Sequence, residues 1–325
     1  MVHPFDATEL AFPANSQNAA PLICLQTLVG HQGSVYALAI AADGQRLFSW
    51  GLDQTLKIWD LRTGDCLQSL PGFAKVNLIA VTPDNRQLIT ASWDESLKIW
   101  DLETGNCLQN LQTPNGKPAI ATALALTPDG RLLISGGWDK QIHLWDLATG
   151  DCLRILSGHT GDINSLDLTQ DGAYLISGSW DGTIRCWDLA LGDCLQILTS
   201  HSQQFEQVAI AANGRWIAAT SKHKALTFWD LYRGKCVKTV RGHSKEITGI
   251  AITPDNQTVI TASWDETVRC WDKNTGTCFQ ILRGHSGRIW SMAMTTDGQK
   301  IVTGSQDKLI KIWGSVEGSG MSTPI

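Results

Sequence analysis

Residues 177–188 read Ser-Gly-Ser-Trp-Asp-Gly-Thr-Ile-Arg-Cys-Trp-Asp, and variants of this stretch recur along the chain with the second Trp in register. Successive copies of that Trp are 41, 45, 42, 42, 42 and 42 residues apart, and six of the seven are followed by Asp. A fixed period of this length indicates that one structural unit is repeated. The repeat tryptophans are Trp59, Trp100, Trp145, Trp187, Trp229, Trp271 and Trp313.

Each repeat predicts four short strands. Sixteen residues before every repeat Trp lies an Asp or Asn followed by Gly or Asn, a pair that favours a tight hairpin turn. In the first copy the strand-like segments are residues 35–40, 46–49, 56–59 and 66–70. Apolar positions on both faces mean that each sheet is covered on both sides. A single sheet of this size is too small to fold alone, so the copies must pack face to face.

The two ends of the repeat array predict a closed ring. Residues 22–28 match the fourth-strand pattern, whereas no such strand follows Trp313. The N-terminal segment therefore completes the last sheet, which removes the exposed ends of an open stack. The predicted fold is all-β, a seven-bladed β-propeller of four-stranded antiparallel blades whose ring is closed by the N-terminal strand. We predict a flexible tail over 1–21, the propeller over 22–314 and a second flexible tail over 315–325.

The composition of the 325-residue chain excludes several classes of protein. A hydrophobic fraction of 43% excludes disorder as the main state, and a formal charge of −5 gives no electrostatic reason to expect nucleic acid as the main partner. No apolar run is long enough for a transmembrane helix, and no secretory signal is evident. The nine Cys are an odd number, which argues against a full disulfide set and suits a reducing compartment. We therefore expect a monomeric, cytoplasmic propeller without membrane insertion.

The Gly-His, Ser or Thr, Asp and Trp-Asp positions over residues 22–314 resemble the WD-repeat β-propeller family. By this resemblance, four repeats carry a buried hydrogen-bond chain from Asp through His and Ser or Thr to the ring N–H of the repeat Trp. An Asp-His-Ser set also suggests a hydrolase, but a nucleophile would occur once in a cleft rather than in four equivalent copies. We expect no catalytic residues. The four sets are His31, Ser49, Asp53 and Trp59; His159, Ser177, Asp181 and Trp187; His243, Thr261, Asp265 and Trp271; and His285, Thr303, Asp307 and Trp313.

Three repeats break this hydrogen-bond set. Repeat 2 has Phe73 in place of His, and repeat 3 has lost its Gly-His in a longer connection. Repeat 5 keeps His201 but has Ala219 and His223 where Ser or Thr and Asp are expected. Drift in a redundant scaffold and a role in binding both remain open.

Cysteine follows the same repeat, and no motif for a cofactor or a metal is evident. Seven Cys occupy one position in the fourth strand and two precede a repeat Trp, so we expect small buried side chains. No Cys-Xaa-Xaa-Cys pair, phosphate loop or calcium loop occurs, and we expect neither cofactor nor metal. The seven are Cys24, Cys66, Cys107, Cys152, Cys194, Cys236 and Cys278; the other two are Cys186 and Cys270.

Binding is expected on the face that carries the Gly-His connections and the turns between the second and third strands, which is the usual interaction face of WD-repeat relatives. By resemblance, its exposed positions are the residue before the repeat Asp and two residues at the start of the first strand. Four of the seven pre-Asp positions hold Trp, and Trp and Arg often anchor protein interfaces. The predicted partner-binding residues are Tyr36, Leu52, Trp93, Trp138, Trp180, Lys222, Trp264, Arg288, Trp290 and Gln306.

The leading hypothesis is a non-enzymatic scaffold that binds protein or peptide through this Trp-rich face. One alternative is a ligand-binding propeller that uses the Trp ring as an aromatic cage or stacking site for a modified peptide or a glycan. A further alternative is that the loop Trp residues only seal the top of the blades.

Overall fold

The computed structural model describes residues 21–315 apart from 74, 95, 117–120 and 201–203. These described residues form 28 strands, which pair into seven four-stranded antiparallel sheets. The sheets confirm the all-β, seven-bladed propeller. We number the strands β1–β28 in chain order and count the four strands of each blade from the centre outward. The predicted tails lie almost wholly outside the described residues.

The strand bounds are close to those that the repeat pattern predicts. Blade 1 is β2–β5 (Val35–Ile40, Arg46–Gly51, Thr55–Asp60, Cys66–Pro71) and blade 2 is β6–β9 (Val76–Val81, Gln87–Ser92, Leu97–Asp101, Cys107–Leu111). Blade 3 is β10–β13 (Ala123–Leu126, Leu132–Gly136, Gln141–Asp146, Cys152–Ser157) and blade 4 is β14–β17 (Ile163–Leu168, Tyr174–Ser179, Thr183–Asp188, Cys194–Thr199). Blade 5 is β18–β21 (Phe205–Ile210, Trp216–Ser221, Ala225–Asp230, Lys235–Arg241) and blade 6 is β22–β25 (Ile247–Ile252, Thr258–Ser263, Val268–Asp272, Cys278–Leu282). Blade 7 is β26–β28 (Ile289–Met294, Lys300–Ser305, Leu309–Gly314) with β1 (Ile23–Val29) as its fourth strand.

The ring closes through the N-terminal strand, as predicted. β1 pairs antiparallel with β28, and the first strands of neighbouring blades contact one another all the way around the centre. Leu22 exchanges two hydrogen bonds with the side-chain amide of Gln280 in blade 6. The two ends of the repeat array are therefore joined by a β-ladder and by side-chain contacts.

The hydrophobic core lies between the blades. Seven clusters of buried side chains are found, and each contains residues of two adjacent blades. Between blades 3 and 4, for example, Ile134 and Leu144 pack with Leu175 and Trp187. Because every blade is apolar on both faces, no blade buries its own surface without its neighbours. This explains why the apolar pattern covers both faces in every repeat.

A belt of hydrogen bonds at the perimeter also joins neighbouring blades. In five blades the side chain two residues after the fourth-strand Cys donates to a carbonyl in the segment that precedes the fourth strand of the next blade. Gln109 Nε2 donates to Ala148 O at 3.2 Å, and Arg154 Nη1 donates to Ala190 O at 3.1 Å. The other contacts of this kind are Gln26 to Thr63 O, Lys238 to Asn274 O and Gln280 to Leu22 O.

The expectation that the repeated cysteines are buried is wrong for the fourth-strand position. Those seven thiols are exposed or half-exposed, because the fourth strand is the outer edge of each blade and the Cys lies at a β-bulge opposite the repeat Trp. Several donate to the carbonyl two residues further on, as Cys66 Sγ does to Gln68 O at 3.4 Å. Only Cys186 and Cys270 are buried, and burial raises the pKa of each thiol to about 12. All nine cysteines are free.

Candidate functional site

The upper face is defined here as the turns between second and third strands together with the connections that enter the next blade. Because the four strands of a blade are antiparallel, these segments meet at the same end of every blade. In six blades the backbone N–H of the pre-Asp residue donates to the carbonyl of the residue preceding the first strand. The pairs are Leu52–Ser34, Trp93–Lys75, Trp180–Asp162, Lys222–Gln204, Trp264–Glu246 and Gln306–Arg288, at 2.8–3.0 Å. The two classes of predicted binding position are thereby adjacent in each of these blades.

A hydrogen-bonded chain lies beneath the upper face in each of the four complete repeats. In blade 4, Asp181 Oδ2 is 2.8 Å from His159 Nδ1, His159 Nε2 is 2.7 Å from Ser177 Oγ, and Trp187 Nε1 donates to Ser177 Oγ at 2.9 Å. Since the indole N–H donates to the hydroxyl, the hydroxyl proton is directed at His Nε2 and Nδ1–H at the carboxylate. The other three sets have the same connections.

The carboxylate of each chain also holds the connection above it. Asp53 Oδ2 accepts from Gln32 N at 2.7 Å, and Asp53 Oδ1 accepts from the Thr55 hydroxyl at 2.8 Å. Burial alone would raise the pKa of Asp53, but these hydrogen bonds and the His31 ring outweigh it and lower the pKa to about 2. For His31, burial lowers the pKa of the ring, so the neutral imidazole is favoured. Ser49 has 0% exposure, so its hydroxyl meets no substrate and its role is structural.

In the three divergent repeats the indole N–H of the repeat Trp still donates to a hydroxyl, and only blade 5 uses a different acceptor. In blade 5, where Ala219 replaces Ser or Thr, Trp229 Nε1 donates to Thr227 Oγ1 at 2.9 Å. In blade 3, Trp145 keeps its Ser135 acceptor, and the buried His143 bonds to Asp139 at 2.8 Å. The sequence reasoning missed Thr227 and His143, because both lie two residues before the repeat Trp, at a position that holds Lys or Arg in the other repeats and is not part of the resembled hydrogen-bond set. His201 lies outside the described residues.

In blade 2, Phe73 replaces the histidine with an apolar contact. Its buried ring packs on Trp100 at a centroid distance of 4.8 Å, and Trp100 Nε1 still donates to Thr90 Oγ1 at 2.8 Å. The Phe73 carbonyl accepts from Trp50 Nε1 at 2.7 Å. Repeat 2 therefore keeps the indole acceptor and the repeat Asp, Asp94, and loses only the histidine.

Two of the predicted loop tryptophans are exposed and in contact. Trp93 in blade 2 is 51% exposed and Trp138 in blade 3 is 43% exposed. Their ring centroids are 6.0 Å apart with an interplanar angle of 32°. Leu52, at the equivalent position of blade 1, is 55% exposed. Three consecutive blades thus present large apolar side chains to solvent.

The other predicted aromatic residues are half-buried rather than exposed. Lys222 Nζ lies 4.7 Å from the ring centroid of Trp180, and the Arg288 guanidinium lies 4.9 Å from that of Trp264. Each of these cations comes from the next blade, so the repeat pattern does not reveal that it covers the face of the Trp ring. Gln306, the remaining predicted residue, is exposed.

An aromatic row crosses the junction where the ring closes. Trp264 packs edge-on against Trp290 at 5.1 Å, and Trp290 stacks on Tyr36 at 4.5 Å with an interplanar angle of 16°. These three residues belong to blades 6, 7 and 1. In four other blades the residue equivalent to Trp290 and Tyr36 is a small polar one that donates to a carbonyl of the next blade. The donors are Asn77, Thr122, Asn164 and Thr248.

In the part of the chain that the structure describes, neither a cluster of metal-ligating side chains nor a membrane-spanning helix is found. No three His, Cys, Asp or Glu side chains within that part converge as metal ligands would. None of its residues lies in a helix long and apolar enough to cross a bilayer.

Comparison with known proteins identifies the family. Residues 18–272 match the family model described as "IFT122 first beta-propeller", and residues 276–314 match "WD domain, G-beta repeat". The chain belongs to this family of WD-repeat β-propellers. Members typically act as protein-interaction scaffolds and are generally not enzymes.

Single-repeat segments are similar to curated proteins that are much longer. The chain is 54% identical over 41 residues to the vegetative incompatibility protein HET-E-1 of Podospora anserina, covering 13% of this chain and 3% of that protein. It is 45% identical over 53 residues to a CCR4-associated factor 4 homologue of Candida glabrata, covering 16% and 9% of the two chains. It is 46% identical over 44 residues to a zinc finger CCCH domain-containing protein 17 of Oryza sativa, covering 14% and 10%. The matched segments thus span a tenth or less of these relatives.

Proposed function

We propose that this protein is a non-enzymatic scaffold that binds protein or peptide through its upper face. The observation that carries the proposal is the exposed pair Trp93–Trp138, with Leu52 at the equivalent position of the preceding blade. Exposed Trp in a cluster is uncommon on a surface without a partner, and Trp is a frequent energetic centre of protein interfaces. We also propose that the protein works in the cytoplasm, where its free thiols stay reduced.

The geometry supports protein contact better than an aromatic cage. Two rings that enclose a flat or cationic group must be about 7 Å apart, which is twice a carbon contact distance of about 3.5 Å. The Trp93 and Trp138 centroids are 6.0 Å apart, so the two rings touch each other. The faces of Trp180 and Trp264 are already covered by Lys222 and Arg288. The exposed pair therefore offers a broad apolar ridge for another protein.

The test is capture of partners with the tagged protein from its native cells, followed by affinity measurements on purified partner. Wild type is compared with W93A/W138A and with the matched control L67A/L153A, which removes two exposed leucines of the blade perimeter. We expect W93A/W138A to bind the partner at least tenfold more weakly, since a hot-spot Trp contributes about 2 kcal/mol or more. The control should bind as wild type does. Equal affinity of wild type and W93A/W138A would contradict the proposal.

A further inference from the structure

The charge of the molecule is distributed unequally between its two ends. The chain carries a formal charge of −5. Yet the exposed charged side chains of the upper face are seven cations and only two acids among the described residues. The cations are Lys75, Lys140, Lys222, Lys245, Arg283, Arg288 and Lys308; the acids are Asp94 and Asp139.

The opposite end of the blades accounts for much of the negative charge. The turns between first and second strands carry an exposed Asp in every blade except blade 5, which has Asn213. Arg131 is paired with Asp129 there, at 3.7 Å, whereas the upper-face cations form no ion pair within the described residues. Among fully exposed side chains the upper face is therefore basic, whereas most of its carboxylates, such as Asp53, Asp181 and Asp265, are half-buried. The acids of these turns between first and second strands are Asp43, Asp84, Asp129, Asp171, Asp255 and Asp297.

Two upper-face cations border a cleft between blades 6 and 7. The cleft has a volume of about 440 Å³, and its lining includes the cations Lys245 and Arg288, the neutral Ser286 and Gln306, and the half-buried carboxylates Glu266 and Asp307. Its Lys, Arg, Ser and Gln groups are hydrogen-bond donors that suit a carboxylate. The Arg288 guanidinium lies over Trp264, and the aromatic row of Trp264, Trp290 and Tyr36 runs from there to blade 1. Blade 1 also carries the exposed Leu52, and blades 2 and 3 carry the exposed pair Trp93 and Trp138.

We infer that the upper face takes an acidic linear segment of another protein. This inference rests on the proposed function and names the chemistry of the partner. Acidic side chains of the segment contact the cations around the cleft, and its apolar side chains lie on Leu52, Trp93 and Trp138. Complementary charge orients such a partner and raises its association rate.

A protein segment fits this face better than a nucleic acid does. The half-buried carboxylates Glu206, Glu246 and Glu266 lie among the upper-face cations and would repel a continuous phosphate backbone. Glu206 is fixed as an acceptor by Trp180 Nε1 at 3.2 Å. A segment with separated acidic residues avoids these carboxylates, and its apolar residues use the tryptophans.

The experiment selects binders from a displayed library of random 16-residue peptides on the full-length protein, and measures the selected peptides by fluorescence polarisation. We expect enriched peptides with net negative charge and several aliphatic or aromatic residues. K245E/R288E should weaken them at least tenfold, whereas the control R62E/K235E, which reverses two exposed cations elsewhere, should not. The neutral variant K245Q/R288Q should fall between the two, which separates loss of charge from a misfolded blade.

The outcomes distinguish this inference from the proposed function. Peptides that need Trp93 and Trp138 but are neutral or basic, or that ignore K245E/R288E, overturn the acidic partner and leave the binding face in place. Peptides whose affinity is unchanged in W93A/W138A, or a library that yields no binder, overturn both. Tight binding of a single-stranded RNA or DNA oligonucleotide that competes with the selected peptides would replace the protein partner with a nucleic acid.

Discussion

At the scale of single residues, the buried indole groups show how the fold tolerates divergence. All seven repeat tryptophans donate to a side-chain hydroxyl, although the acceptor differs in blade 5. There Thr227 lies two residues before Trp229, a position that holds Lys, Arg or His in the other repeats. Thr227 also donates to Ala219 O at 3.0 Å. A buried donor must find an acceptor, but sequence periodicity does not reveal which substitute supplies it.

Asp167 gives a prediction at the same scale. It lies on the first strand of blade 4, at a position that is Ala in the other six blades. Burial raises its pKa to about 6, although the N–H groups of Ile210 and Leu168 donate to the carboxylate and oppose the rise. Because the folded pKa is above the ordinary value of 3.8, the folded state binds the proton more tightly than the unfolded state does. The contribution of Asp167 to stability is therefore fully present below pH 4 and lost as the pH rises through about 6.

The variant D167N should remove this pH dependence. Asn keeps an oxygen that accepts from Ile210 N and carries no charge, so the variant should gain on the order of 1–3 kcal/mol relative to wild type at pH 7.5. At pH 4 the free energies of unfolding of the two proteins should be within about 0.5 kcal/mol of each other, or the wild type should be the more stable. Urea denaturation at both pH values measures the difference. A difference between variant and wild type that is the same at both pH values would refute the assignment.

At the scale of elements, the glycine of the turn between third and fourth strands meets two demands. Gly150 has φ +79°, and a Cβ there would overlap the side-chain amide of Gln109 from the preceding blade. Gly105 has φ +73°, but a Cβ there would meet nothing within 4 Å. The two positions share the left-handed backbone conformation and differ in the contact between blades.

This pair of glycines allows the contact to be measured separately from backbone strain. G105A should cost about 1 kcal/mol, since only the left-handed conformation is penalised. G150A should cost about 1 kcal/mol more, because it also displaces Gln109 from Ala148 O. Chemical denaturation of both variants gives the values. In a Q109A background the excess cost of G150A should disappear, and its persistence would show that Gln109 is not the cause.

The elements were predictable from the sequence to a greater extent than the site. In blade 1 the predicted strands 35–40, 46–49, 56–59 and 66–70 fall within one or two residues of Val35–Ile40, Arg46–Gly51, Thr55–Asp60 and Cys66–Pro71. Turn pairs and apolar positions repeat seven times, so an atypical residue in one repeat is outweighed by the other six when the strands are predicted. Exposure of the loop tryptophans depends instead on long side chains from the next blade. Lys222 and Arg288 cover two of the four, and no local pattern encodes that contact.

At the scale of the whole molecule, the ring depends on a strand that is not continuous with its own blade. β17 is tied to β16 by the short turn of residues 189–193, whereas β1 is held in blade 7 by pairing with β28 and by side-chain packing. Leu28 and Leu198 occupy equivalent positions in these two strands and are 3% and 2% exposed. A detached β17 stays close to its site because its loop is short, but a detached β1 has no such constraint within its blade.

Leucine-to-alanine variants at these two positions test whether the pairing of β1 with β28 is the least stable contact of the ring. L28A and L198A should each cost about 2–5 kcal/mol, because both create a similar cavity between blades. Native-state hydrogen exchange should then differ. In L28A the amides of β1 and β28 should exchange through a local opening well before the rest of the protein, whereas in L198A the amides of β17 should exchange with the global unfolding. If β1 keeps the protection of the other fourth strands in L28A, closure is as strong as any junction between blades, and the propeller opens elsewhere.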